Sequence, residues 1–368
     1  MTIELIDSID RFEAIRPEWS ELLASSASES PFLTWEWLYA WWTHLGLDRR
    51  LAIVAVRNRE RLIAIAPLCA SRGRMPLMWR YELMGTGSAG SDYLDAIVRP
   101  GYEAKALNGL ADFAQWKGIA LQLVRLPQQS ALAKLAGPLA GNGWSVRTAD
   151  DGHCPFIRLS GHTWDSFLST IGPAHRATTR RRLRLLDKAF AMRFARVTDG
   201  AMRRDALAKL IEFHRVRFGT KGTAFSTGTM CAFHLDATAR LEDAGLLRLF
   251  TLHLNDELAG VLYGMAFKDR FYFYQHGYDA RFQAHGIGRA VLDMSIRAAI
   301  EEGLVEFDLL YGGEAYKSAW TNERRPLERI EFFPAGLAGR AHRRVVETER
   351  TLRAVARRVI ATYAPQTS

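Results

Sequence analysis

Cysteine is scarce in this chain of 368 residues: Cys69, Cys154 and Cys231 only, odd in number and far apart. That argues against a disulfide framework and fits a reducing cytosol. Long apolar runs are missing too. No stretch approaches the roughly 18 apolar residues of a membrane-crossing helix. The opening MTIELIDSIDRFEAIRPEW is acidic and mixed, with no apolar signal core. A cytoplasmic protein is expected. Paired metal-ligand spacings are lacking as well: Cys231 and His234 stand at a usable interval, no second pair accompanies them, and no metal is expected. Acidic residues are outnumbered, 40 against 49 Lys and Arg, for a net charge of +9. Such a balance permits phosphorylated ligands, nucleic acid or anionic lipid and does not choose among them.

What is present is an ordinary globular composition, 48% apolar and 24% charged. The length exceeds one ordinary core, and a prior of about 150 residues per domain points to two. The order of elements repeats. In the second half LLRLFTLHL, ELAGVLYGMAF and FYFYQHGYD read as three strands joined by the tight turns ND and KDR. A glycine segment, a helix from Gly288 to Glu302 and the short buried strand VEFDLLYG follow, with LERIEFF as a last strand. In the first half RLAIVAVR, RLIAIAPLCA and LMWRYELMG play the same parts. The loop TGSAGSDYLD, the helix EAKALNGLADFAQWKG and the strand ALQLVRL complete that set. One duplicated β-β-β-loop-α-β unit is the economical reading, with an α/β (α+β) domain at 1–155, another at 156–335 and a basic amphipathic helix at 336–368.

Two further helical stretches are legible. TWEWLYAWWTHLG, with Thr34 as its cap, is expected to dock on the core. The tail sets Ala341, Val345, Leu352, Val355, Val359 and Tyr363 on one stripe, with arginines elsewhere. Peripheral contact with a membrane or a synthase complex is open to such a tail, and specific DNA binding is not expected.

The glycine segment is YDARFQAHGIGRAVLDM. Each glycine inside a helix costs about 0.5–1 kcal/mol relative to alanine, so two near a helix start need a reason. A strand entering a helix through glycines offers free backbone N–H groups at the positive end of the helix dipole, a ready anion site. Gln283, Gly286 and Gly288 spell Q-x-x-G-x-G, which resembles the acyl-CoA pyrophosphate loop of GNAT acyltransferases. The resemblance places acyl-CoA on Gln283, His285, Gly286, Ile287, Gly288 and Arg289. A second segment, FDLLYGGEAYKSAW, carries Asp308, Glu314, Tyr316 and Lys317. With Phe307, Gly312 and Trp320 it resembles the F-D-x-x-x-G-x-E/D-x-Y-K-x-x-W/F segment of CelD/FemAB-like acyltransferases, whose fold is two tandem GNAT-like domains. Each is a mixed, largely antiparallel sheet flanked by helices.

The resemblance implies an acyltransferase, most simply an acetyltransferase, that moves an acyl group from acyl-CoA to an amine, with an amino sugar or envelope polysaccharide precursor as acceptor. It assigns Lys317 a charge-stabilising role. The residues leave the other roles open: Tyr316 or Tyr274 as proton donor to the thiolate, and Glu314 or His276 as proton acceptor from the amine. Backbone N–H groups near Tyr274 to His276 are expected at the thioester carbonyl. Asp92, Tyr93 and Asp308 are expected to face the acceptor. Gly85, Gly87 and Gly90 lack the Q-x-x-G-x-G spacing, so the first domain is expected not to bind CoA. Arg176, Arg180, Arg181, Arg182 and Arg184 cover more than one helix face and cannot share one pocket; a solvated surface is their default, a phosphate contact their alternative. Two other readings stand beside the main one: a Fem-like transferase fed by charged tRNA, and a non-catalytic scaffold.

Overall fold

The computed structural model describes residues 1–72, 79–219 and 224–363, with side chains to residue 352. Leu77 and Met78, expected to open the first half's third strand, lie outside these residues. So do the side chains of Val355, Val359 and Tyr363.

The first half begins with strand β1 (Thr2–Ile6) and helices α1 (Ile9–Ala14), α2 (Arg16–Ser25) and α3 (Trp35–Leu45). Strands β2 (Arg49–Leu51), β3 (Ile53–Asn58), β4 (Arg61–Ala66), β5 (Leu68–Arg72), β6 (Trp79–Leu83) and β7 (Ile97–Val98) follow. Helix α4 (Glu103–Lys117), β8 (Ala120–Pro127), α5 (Ala136–Gly141) and the long β9 (Ser145–Arg158) close it. The second half has α6 (Trp164–Thr170), α7 (Pro173–Ala189), β10 (Met192–Arg196), α8 (Gly200–Phe218) and α9 (Gly228–Asp243). The meander β11 (Leu247–Leu254), β12 (Glu257–Phe267) and β13 (Arg270–Tyr278) comes next. Last are α10 (Ile287–Glu301), β14 (Glu306–Asp308), α11 (Ala315–Ser318), β15 (Arg324–Phe333) and α12 (Leu337–Tyr363).

Mixed α/β architecture follows directly. Among the described residues four strands form the sheet β1-β3-β4-β7, and eleven form β10-β11-β12-β13-β14-β9-β15-β8-β6-β5-β2. Only two neighbour pairs in the larger sheet are parallel, β13 with β14 and β6 with β8. Each parallel pair brackets a helix, α10 in one half and α4 in the other, as a parallel crossover requires. The halves then exchange their last strands. β15 crosses back to pair with β8, whereas Phe156–Arg158 at the end of β9 pair with β14. β9 therefore runs unbroken through residues 155 and 156, and what changes there is its partner, from β15 to β14.

The tryptophan-rich helix α3 is core. Trp35, Trp37 and Trp41 are at most 4% exposed, and Trp37 meets Phe233 of α9 edge-on at 5.0 Å. Thr34 caps it by accepting from the Trp37 amide. The tail stripe differs from expectation. Ala341 and Leu352 are exposed and Val345 is half-buried, while His342 turns inward against Phe333. The tail's register on β15 is fixed at that end, and ion pairs such as Arg343–Glu347 occupy its outer face.

Two cores sandwich the second half's sheet. Tyr263, Tyr272 and Tyr274 face a core shared with the first half, α8 and α9. Phe271, Phe273 and Leu262 face another, with residues of α6, α7 and α10.

Candidate active site

The site is a wedge. β14 accompanies β13 only from Arg270 to Tyr272, paired with Glu306 to Asp308. Beyond Asp308 the chain bends away through Leu310, which takes a left-handed φ of 55°. From Phe273 onward that edge of β13 has lost its β14 partner. Into the gap opens a cleft of about 930 Å³, walled by the end of β13, the start of α10, one face of α7 and α11.

A β-bulge aims β13 into this cleft. Its register against β12 shifts between Tyr263–Gln275 and Gly264–Phe273, so Tyr274 is the extra residue. Strict alternation would set Tyr272, Tyr274, His276 and Tyr278 on one face. A bulge reverses the alternation after it. His276 therefore joins the face of Phe273, 5.4 Å away between ring centres, and lines the cleft with Tyr278.

The glycine turn forms the floor. Asp279 opens it by accepting from the Arg281 amide, and Gly286 then takes φ 68° to start α10. The Gly286 amide donates to Gln283, and those of Arg289 and Ala290 donate to Gly286. The amides of Ile287 and Gly288 have no acceptor among the described residues. Both glycines also have steric reasons of their own. Gly286 needs the left-handed region, and a Cβ on Gly288 would sit 2.8 Å from the Tyr278 ring. Gln283, His285 and Arg289 are exposed at the rim, whereas Ile287 is fully buried and offers the cleft only its main chain.

Charge in the cleft is one-sided. Arg181, Arg182, Arg217 and Arg289 line it against a single carboxylate, Asp293. The other arginines of α7 point elsewhere: Arg176 donates to the Ser169 carbonyl, Arg180 pairs with Asp165, and Arg184 is exposed. The solvated-surface default for this run thus fails for Arg182, while Arg181 lines the cleft from an exposed position. Arg217, Asp293, Tyr278 and Trp320 were not expected here. A lone acid inside the apolar run AVLDMSI was the available signal for Asp293.

The proposed chemical groups separate into three places. His276 and Tyr316 meet in the cleft, ring centres 6.2 Å apart and edge-on. Burial, with Arg217 beside it, pushes the His276 imidazole down to about 3, so it is neutral at ordinary pH. Burial pushes the Tyr316 phenol well up, so it stays protonated. Tyr274 is elsewhere. Its hydroxyl donates to the Ala89 carbonyl at 2.6 Å, inside an aromatic cluster with Trp37 and Tyr263. It cannot protonate a thiolate in the cleft, because it shares the face of Tyr272, away from the face to which the bulge turns His276.

The third place is a buried polar seam between the halves. Lys317 is 4% exposed, and its ammonium donates to the Leu310 and Tyr311 carbonyls at 3.3 and 2.8 Å and pairs with Glu314 at 2.9 Å. Its three donors are all used, and it pins the loop that carries Tyr316. Glu314, exposed, serves as its counter-ion. Asp308 accepts from the Tyr93 hydroxyl at 2.6 Å, Arg325 at 3.0 Å and the Leu310 amide at 2.7 Å. Asp92 accepts from the Tyr311 amide at 2.8 Å. Burial lifts Asp308 to about 7 and Asp92 to about 6. The expectation that Asp92, Tyr93 and Asp308 face an acceptor does not fit this placement: all three are buried, with their polar atoms spent on holding the halves together.

No cluster of three or more metal-ligating side chains occurs among the described residues, and no helix among them is long and apolar enough to cross a membrane.

Residues 173–318 match the family model "Acetyltransferase (GNAT) domain". No curated protein matches the chain. Among solved structures, FemX shares 12% identity and a TM-score of 0.63 over 89% of this chain and 97% of its own. A conserved protein of unknown function from Bacteroides thetaiotaomicron VPI-5482 shares 12% and 0.59 over 90% and 99%. The C-terminal domain of a putative lysylphosphatidylglycerol synthetase from Agrobacterium fabrum shares 13% and 0.56 over 87% and 92%. Identities this low speak for the fold alone. Residues 173–318, from α7 to α11, are thus similar to a GNAT acetyltransferase-type domain, set in a fold that the chain shares with FemX.

Proposed function

We propose that the chain is an acyl-CoA-dependent N-acyltransferase whose donor lies in the wedge between β13 and α11. The observation that carries this reading is the cleft floor: two amides at the start of α10 with no acceptor among the described residues, in a cleft lined by four arginines and one acid. A diphosphate suits that floor, since helix N-termini and guanidinium groups both favour phosphate oxygens. The open edge of β13 would present main-chain N–H groups to the thioester carbonyl, whose oxygen gains charge as the amine attacks. Tyr316, held protonated, is the group suited to give a proton to the departing thiolate. His276 is poorly suited as a base, because a group near 3 lies far below the working pH. It serves better as a neutral hydrogen-bond partner.

In this reading residues 156–335 bind the donor, the degenerate half at 1–155 buttresses the site, and α12 is an accessory basic helix. The acceptor is proposed to be an amino sugar or an envelope polysaccharide precursor, and the setting cytoplasmic. Isothermal titration with acetyl-CoA tests the donor. One saturable site with micromolar affinity is expected. Absence of heat up to millimolar acetyl-CoA, with binding of charged tRNA instead, would transfer the chain to a Fem-like aminoacyl reaction.

A further inference from the structure

One charged pair in the cleft is built unlike the rest. Arg181 and Arg289 are exposed, and Arg217 lies over the Tyr278 ring at 5.3 Å. The side chain of Arg182 is only 10% exposed, and that of Asp293 has no exposed surface. The Arg182 stem crosses the first residue of the α10 turn, since its Cδ and Nε lie 3.4 Å from where a Cβ on Gly286 would stand. Its Nη1 then donates to Asp293 Oδ2 at 2.5 Å, in the second turn of the same helix. Both ends of the side chain are held.

From this geometry we infer that Arg182 is the specificity-determining clamp for a diphosphate on the α10 turn, and that Asp293 is the residue positioning it. The inference rests on the acyl-CoA reading for the identity of the donor, though not for the clamp itself. Only one of the five guanidinium N–H groups is used by Asp293, and no further partner for Arg182 is found among the described residues. The remaining donors belong to a side chain that lines the same cleft as Ile287 and Gly288, in a planar fork that matches two phosphate oxygens. Stability alone does not account for the pair. Asp293 Oδ1 is buried with no hydrogen-bond partner among the described residues. Burying a carboxylate that is half satisfied is costly, and apolar residues of the same volume commonly serve a core at least as well. What the pair achieves is a fixed place for the guanidinium. A lysine could supply the charge at that position but not the fork.

The full chain and its Arg182→Gln, Arg182→Lys and Asp293→Asn variants are titrated calorimetrically with CoA, phosphate-free pantetheine and inorganic pyrophosphate. Thermal melts verify folding. Arg182→Gln is expected to weaken CoA and pyrophosphate about tenfold or more, the scale of one charge-assisted hydrogen bond, with pantetheine unchanged. Asp293→Asn weakens the same two ligands in the same direction, because the arginine remains but is no longer held. Arg182→Lys recovers only part of the loss. CoA and pyrophosphate affinities within twofold of the parent in folded Arg182→Gln and Asp293→Asn would overturn the clamp. Equal weakening of pantetheine would overturn it too, by showing a merely structural pair. If the parent binds pyrophosphate through Arg182 yet ignores CoA, the clamp stands and the acyl-CoA reading fails.

Discussion

Asp308 has no exposed surface, and three donors converge on its carboxyl group. Burial outweighs them and raises it to about 7, against 3.8 for the free group. A raised acid binds its proton more tightly in the folded state. Its stabilising contribution is complete below pH 3.8 and is lost as pH rises towards 7, by at most about 1.4 kcal/mol per pH unit. The stability of the parent minus that of Asp308→Asn should therefore shrink between pH 4 and 7, as read by urea unfolding at each pH. A difference that grows with pH would mean that the ion pair to Arg325 dominates instead. The same residue shows what a linear sequence conveys at this scale. Of the segment from Phe307 to Trp320, Tyr316 and Trp320 line the cleft, whereas Lys317 is a buried tether and Asp308 a seam residue. Residue type and spacing cannot report that Lys317 spends its donors on the carbonyls of Leu310 and Tyr311. Asp293 passed unnoticed because its partner Arg182 is 111 positions away.

Elements were easier to read than their handedness or their irregularities. The meander, α10 and the strand after it are local patterns of period 2 and 3.6, and they stand where the sequence put them. β1, β10, α8 and α9 were not assigned in the sequence reading. The bulge at Tyr274 was invisible, because it exists only relative to β12, and it turns His276 from the face of Tyr274 to the cleft. The turn into α10 raises a testable point of the same kind. Gly286 sits at φ 68°, where a residue with a Cβ pays roughly 1–2 kcal/mol and asparagine pays less. Gly286→Ala should lower the unfolding free energy by about 1 kcal/mol and weaken acetyl-CoA, while Gly286→Asn retains more of both. Chemical denaturation and calorimetry on the two variants give the comparison. Equal, unperturbed behaviour of Ala and Asn would show that the left-handed turn is not needed.

At the scale of the whole molecule, the similar order of elements in the two halves was legible, and the exchange of last strands was not. Pairing of β15 with β8, and of the end of β9 with β14, joins positions far apart in sequence through contacts that no local pattern encodes. That exchange gives the second half its wedge. β14, only three residues long, is held between β13 and β9, so the chain is free to turn away after Asp308. The first half contributes the wall behind the seam, including the Ala89 carbonyl that holds Tyr274. The central claim is that this wedge seats the diphosphate of an acyl donor on α10. A crystal structure of the full chain with CoA tests it most directly. The account predicts diphosphate oxygens within hydrogen-bond distance of the Ile287 and Gly288 amides and of Arg182, with the thiol end directed along β13 towards Tyr316. A bound CoA whose diphosphate lies away from that turn would contradict it.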